Sequence, residues 1–273
     1  MSDQEDKMSL VNAELQSRRD RNDARSKQLL LSKSEQPCIR FTNMNAEQLT
    51  ALISNSSEGT IFVSFHTIAY FTLFKLIDNW KLDVNCIVVD TILARFAEWG
   101  YKTPHGTSLS LFLEKDAIKD VIHNRKSLFI MADVLFPSAR NHAVWIYEKV
   151  QRYTVTWAEL AVRHRLNVVA LFIKDRGSHL EVFVDTVRSH ENDPYDLVCE
   201  MFSTFERFLG PDTHLWENYP NVDLLGFPIR YPVEGDADAL LPLAAFLGLS
   251  GFNTTRALRR LQASDALSKP AKP

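Results

Sequence analysis

Short hydrophobic runs alternate with amphipathic stretches along most of this chain, and the alternation predicts strands and helices in turn. Ile39 to Thr42 reads as a short strand, and Asn45 caps a helix running to about Ser54. Thr60 to Phe65 is nearly continuous in apolar residues, as a strand buried on both faces should be, and a helix near Ile68 to Trp80 follows it. Val84 to Val89 is the next strand, rich in β-branched residues, and a helix around Ile92 to Trp99 ends at Gly100. Leu109 to Leu113, Asp116 to His123 and Ser127 to Ala132 then repeat strand, helix, strand. After a loop containing Pro137 to Asn141, a helix from Thr156 to His164 leads into a strand from Val168 to Lys174. Gly177 marks a turn, and Leu180 to Val184 pairs back as an antiparallel hairpin. Asn192 to Phe208 is a long amphipathic helix stopped by Gly210-Pro211. The expected fold is α/β: a mostly parallel sheet flanked by helices and made mixed by the late hairpin.

Three regions follow from this reading. Residues 1–36 form a charged arm, helical or disordered, that Pro37 ends. Residues 37–231 form the α/β domain, and 232–273 form an extension with helices at Asp238 to Leu247 and Thr254 to Gln262 and a disordered end. The 273 residues, 45% of them hydrophobic, suffice for one sizeable core. The net charge of −3 provides no overall attraction to nucleic acid, and no nucleic-acid partner is expected. No apolar run reaches the roughly 18 residues of a spanning helix. The chain is therefore not expected to cross a membrane, with peripheral contact at the inner face of one left open, and its few, widely spaced cysteines make a reducing cytoplasm the expected setting. Cys38, Cys86 and Cys199 have no C-x-x-C spacing, which argues against zinc or a disulfide framework, and no metal is expected.

Two residues stand where an open α/β sheet gathers ligands, at the carboxyl ends of strands. His66 follows the strand Thr60 to Phe65, and Asp133 follows Ser127 to Ala132. Spacing alone does not place one against the other. Ser64 lies two residues before His66, but no G-x-S-x-G elbow surrounds it, so hydrolysis is a minor reading. Arg140, beside His142, is a candidate for substrate contact. Arg256, Arg259 and Arg260 form a small basic helical face that suits an acidic carrier protein or lipid headgroups.

The order of these motifs resembles the lysophospholipid acyltransferase-like superfamily, and within it the late acyltransferases of lipid A biosynthesis. The similarity runs from about Ile39 to Trp216 through Glu58 to His66, Leu113 to Lys119, Leu128 to Asp133, Ala161 to Phe172 and Leu215 to Glu217. The resemblance implies that His66 is a general base on an acceptor that attacks an acyl thioester. It implies no bound cofactor, with an acyl carrier protein or coenzyme A thioester as co-substrate, and a carrier protein or biosynthetic enzyme as partner. Glu114 and Lys115 stand at the family's basic turn, where they would meet substrate.

The chain departs from the family at a decisive place. The family carries a carboxylate five residues after its histidine, where this chain has Phe71. Ala170 replaces a usual proline, Glu114-Lys115 is only half basic, and an amino-terminal membrane helix is not seen. Two functions stay open. In one, an acyl or aminoacyl group passes from a thioester to a soluble amine, hydroxylamine or alcohol, with His66 as base and Asp133 orienting the acceptor or the imidazole through a water. In the other, the fold is a catalytically inactive homologue that binds a lipid, a carrier protein or an enzyme, with Tyr70 and Phe71 in an apolar mouth.

Overall fold

The computed structural model describes residues 2–31, 38–55, 59–80, 84–88, 90–101, 108–111, 119, 122–124, 126–134, 141–187, 193–225 and 227–228. Its strands are β1 (Ile39–Asn43), β2 (Thr60–Ser64), β3 (Val84–Val88), β4 (Ser108–Leu111), β5 (Ser127–Met131), β6 (Asn141–Ile146), β7 (Lys149–Thr154), β8 (Asn167–Asp175), β9 (Leu180–Val187) and β10 (Phe227–Pro228). Its helices are α1 (Ser2–Leu31), α2 (Ala46–Asn55), α3 (Thr72–Asn79), α4 (Asp90–Glu98), α5 (Thr156–His164), α6 (Pro194–Leu209) and α7 (Tyr219–Leu225).

Seven strands form one sheet in the order β1-β9-β8-β2-β5-β3-β4. All pair in parallel except β8 with β9, the antiparallel hairpin that Gly177 foretold. The fold is thus α/β with a mostly parallel mixed sheet flanked by helices. A second, antiparallel sheet of β10-β7-β6 stands apart. No strand was expected over 141–154, where hydrophobic and polar residues alternate too unevenly for β6 and β7 to declare themselves.

Both faces of the large sheet are covered, so β2 buries every side chain and β8 all but those at its two ends. Ile61, Val63 and Phe65 join Val168, Ala170 and Phe172 in a core under α5, α6 and the small sheet. Phe62, Phe129, Val169 and Leu171 point the other way, into a core shared with α3 and α4. Ala170 is an interior residue of β8 paired with Val63.

The charged arm takes the helical of its two expected forms, and what the sequence did not foretell is that it is docked. It is a 30-residue helix, α1, that packs on α3 and α7. Among its described side chains the buried ones are Val11, Leu15, Arg18, Asn22 and Ser26, at successive three- and four-residue steps along one helical face, and then Leu29 and Leu30. The middle three are polar, so a search for hydrophobic periodicity passes over the stripe. The described part of the chain has no helix long and apolar enough to cross a membrane.

One buried cation fixes the route from α6 toward the site. Lys174, 3% exposed at the end of β8, donates to the Phe208 carbonyl at 2.7 Å and to Asp212 at 3.3 Å. It thereby satisfies a carbonyl that the end of α6 leaves open. Lys174→Met should lower the unfolding free energy by about 2 kcal/mol, because the carbonyl and Asp212 lose a charged donor. Urea denaturation followed by tryptophan fluorescence checks this; an unchanged midpoint would show that the lysine is dispensable.

The expected helix over 116–123 falls mostly outside the described residues, as do Glu114, Lys115, Arg140 and the extension 232–273 with its arginines. Cys38 is exposed, whereas Cys86 and Cys199 are buried, and none of the three forms a disulfide among the described residues.

Candidate functional site

Strand register brings the two sequence candidates together. In the parallel pairing of β2 with β5, Ser64 is opposite Met131. His66 and Asp133 each lie two residues beyond that pair, and the Ala132 amide donates to the Ser64 carbonyl at 2.9 Å to carry the alignment past the strand ends. Equal offsets on neighbouring parallel strands put the two side chains side by side.

His66 Nδ1 lies 2.7 Å from Asp133 Oδ1. The other carboxylate oxygen, Oδ2, accepts from the His66 backbone amide at 3.0 Å, from Trp216 Nε1 at 2.7 Å and from Asn218 Nδ2 at 3.0 Å. Asn218 also donates to the Asp133 carbonyl at 3.1 Å. Asp133 has no exposed side-chain surface, while the His66 side chain keeps 17% of its own. The imidazole is therefore held at Nδ1 from inside, and among the described residues Nε2 has no hydrogen-bond partner.

The electrostatics agree with this geometry. Burial alone would push the Asp133 carboxyl up, but His66 and the donors on its oxygens outweigh burial and hold it below the ordinary carboxylate value. Burial likewise opposes charge on His66, yet the Asp133 carboxylate and its hydrogen bond leave the imidazole above the ordinary histidine value. Glu217 adds in the same direction and Arg19 subtracts.

The segment carrying Trp216 is laced to the loop after β2. The Ile68 amide donates to the Leu215 carbonyl and the Glu217 amide to the His66 carbonyl, both at 2.7 Å, with Thr67 and Trp216 bridged antiparallel between them. A turn of 3-10 helix, Thr213–Leu215, delivers this segment from the end of α6. Trp216 is fully buried and packs against Phe65 and Phe205.

No protein-family model and no curated protein matches this chain. What the site can do is read from its atoms.

Phe71, five residues after His66, belongs to the interior. It is 0% exposed and packs on Tyr70, Trp99 and Phe96 at ring-centroid distances of 4.2, 5.2 and 5.6 Å. Its ring offers no surface to a substrate in this structure, in contrast to the apolar mouth expected of it. Tyr70 is also buried, with its ring edge-on to His66 at 4.8 Å, so it braces the imidazole. Ser64, fully buried, has no hydrogen-bond partner on its hydroxyl and does not bond to His66. Asp133 contacts the imidazole directly, without the intervening water that the sequence reading invoked. Trp216 and Asn218 were missed as site residues. The one signal for Trp216 was its place in a tryptophan-bearing block, and Asn218 had none.

Proposed function

We propose that this chain transfers an acyl or aminoacyl group from a thioester to a soluble amine, hydroxylamine or alcohol, with His66 as the general base. The observation that carries the reading is the 2.7 Å contact of Asp133 with His66 Nδ1. With the proton on Nδ1 donated to Asp133, the lone pair of Nε2 is free to take a proton from the acceptor. The acceptor nitrogen or oxygen bonds to the thioester carbonyl carbon, the carbon–sulfur bond breaks, and the departing sulfur recovers the proton from His66 Nε2. Asp133 stabilises the imidazolium between those two transfers, as the buried carboxylate of a hydrolase relay does.

Support also comes from the resemblance to the lysophospholipid acyltransferase-like superfamily, whose missing carboxylate Asp133 supplies from another strand. An inactive binding homologue would follow from a histidine without a carboxylate, and the Asp133 contact weighs against it. The donor is an acyl carrier protein or coenzyme A thioester, which goes with a cytoplasmic protein that contacts a carrier protein, a biosynthetic enzyme or the inner face of a membrane.

Intact-mass spectrometry of amine and alcohol acceptors mixed with acyl thioesters tests the reading. Product should form with the wild-type chain and fall to background with His66→Ala, whose circular dichroism stays unchanged because the side chain is partly exposed. Equal product from both chains would remove His66 from the mechanism. Retention of a carrier protein or lipid with no product from any donor would favour the binding homologue.

A further inference from the structure

The polar face of α1 has no role in a simple packing account. Asn22 and Ser26 are 0% exposed at the centre of a buried stripe, where leucine would be the ordinary choice. Their bonds run toward the segments that hold the dyad. Asn22 Oδ1 accepts from the Ala69 backbone amide at 2.8 Å and from the Ser26 hydroxyl at 3.0 Å, and Asn22 Nδ2 donates to Glu217 Oε2 at 3.2 Å. One turn earlier, Arg18 donates to the carbonyls of Thr213 and Trp216 at 2.9 and 2.7 Å. Arg19 donates to the other oxygen of Glu217 at 2.9 Å.

The loop that these bonds reach is strained. Ala69 has φ of 75°, in the left-handed region that a non-glycine residue seldom adopts. Such a conformation persists only where its surroundings fix it. The Asn22 carbonyl on the Ala69 amide is one such restraint, and it lies three residues from His66.

We propose that α1 is a positioning strap for the His66–Asp133 pair, with the Asn22 amide as the tie between the loop after β2 and the segment carrying Trp216. One end of the tie is the Ala69 amide; the other is Glu217, whose neighbours on either side, Trp216 and Asn218, supply two of the three donors to Asp133 Oδ2. Arg18 holds the same segment by its carbonyls, so Trp216 cannot draw back from Asp133 without breaking bonds to α1. Asn22 touches no reacting atom, and its action on the imidazole is through these backbones. This inference concerns the geometry of the pair and rests on the proposed transfer only for its effect on rate.

The test uses the full chain and the proton magnetic resonance of the His66 Nδ1 hydrogen at neutral pH, assigned by its absence in His66→Ala. Asn22→Leu keeps the branched four-atom shape of the side chain and removes both ties. Its circular dichroism should match the wild type while the assigned signal broadens or disappears. The double variant Asn22→Asp with Glu217→Gln keeps an acceptor for the Ala69 amide and exchanges donor for acceptor in the other bond, so the signal should return. If thioester transfer is established, turnover of Asn22→Leu should fall about 10- to 100-fold with the donor KM unchanged, as small misplacements of a reacting group do. An unaltered signal in Asn22→Leu would overturn the strap, and so would a loss that the double variant fails to repair. If Asn22→Leu does not fold, the double variant decides alone: folded with the signal supports the strap, folded without it overturns the strap. Because the resonance needs no substrate, a wild-type chain without transfer activity would sink the proposed function and leave this inference standing.

Discussion

Asp133→Asn is expected to lower thioester-dependent turnover by about 10⁴ while the chain stays folded, the loss seen when the orienting aspartate of a serine-hydrolase relay is made an amide. The reason lies in how the carboxylate is surrounded. Three donors converge on Oδ2: the His66 amide, the Trp216 indole and the Asn218 amide. An asparagine there must turn its oxygen toward them, which aims its NH₂ at His66 Nδ1. The imidazole then accepts at Nδ1 and carries its proton on Nε2, the wrong tautomer for a base.

The pH profile should move as well. In the wild-type chain the His66 value is raised, so the neutral base and the acid limb of the rate profile are displaced upward from the ordinary histidine value. Without the carboxylate, burial is left as the largest influence and the limb shifts to lower pH. Thioester consumption measured across pH for both chains checks both effects. Wild-type turnover in Asp133→Asn would remove the carboxylate from the mechanism.

Phe71→Glu should unfold the chain or leave it insoluble. The substitution installs a carboxylate at the family's spacing and so looks like a repair. In this structure the ring it removes is fully buried among Tyr70, Phe96 and Trp99. Truncating a buried phenylalanine costs about 3–5 kcal/mol, and a carboxyl group without a partner in that cage adds more. Against a total stability of roughly 5–15 kcal/mol, little folded protein would remain. His66 would gain nothing, since its Nδ1 is already engaged. Soluble yield and the urea midpoint measure the effect; a folded variant with faster transfer would mean that the cage opens and that Asp133 does not serve the histidine.

The strands of the large sheet were legible because both of its faces are buried, which makes β2, β3, β5 and β8 read as continuous apolar runs. The late hairpin declared itself through Gly177. His66 and Asp133 were legible singly, each at a strand end, but their contact depends on which strands are neighbours and in what register, and neither is written locally. Phe71 misled because a rule of fixed spacing assumes that the carboxylate follows the histidine along one stretch of chain. The docking of α1 was hidden for a different reason: hydrogen bonds, not apolar area, fill the middle of its buried face.

His66 and Asp133 are 67 positions apart, and the donors to Asp133 at Trp216 and Asn218 come later still. During synthesis the histidine is made early and its carboxylate much later, and the carboxylate has its full set of donors only after residue 218 has emerged. Contacts of such long range form late, after the loops between them have been closed. A chain halted partway, or one whose β2 and β5 pair one residue out of step, therefore holds an imidazole without its counter-charge. Reactivity at His66 would accordingly be a property of the finished molecule alone, and its appearance would time the last stage of folding.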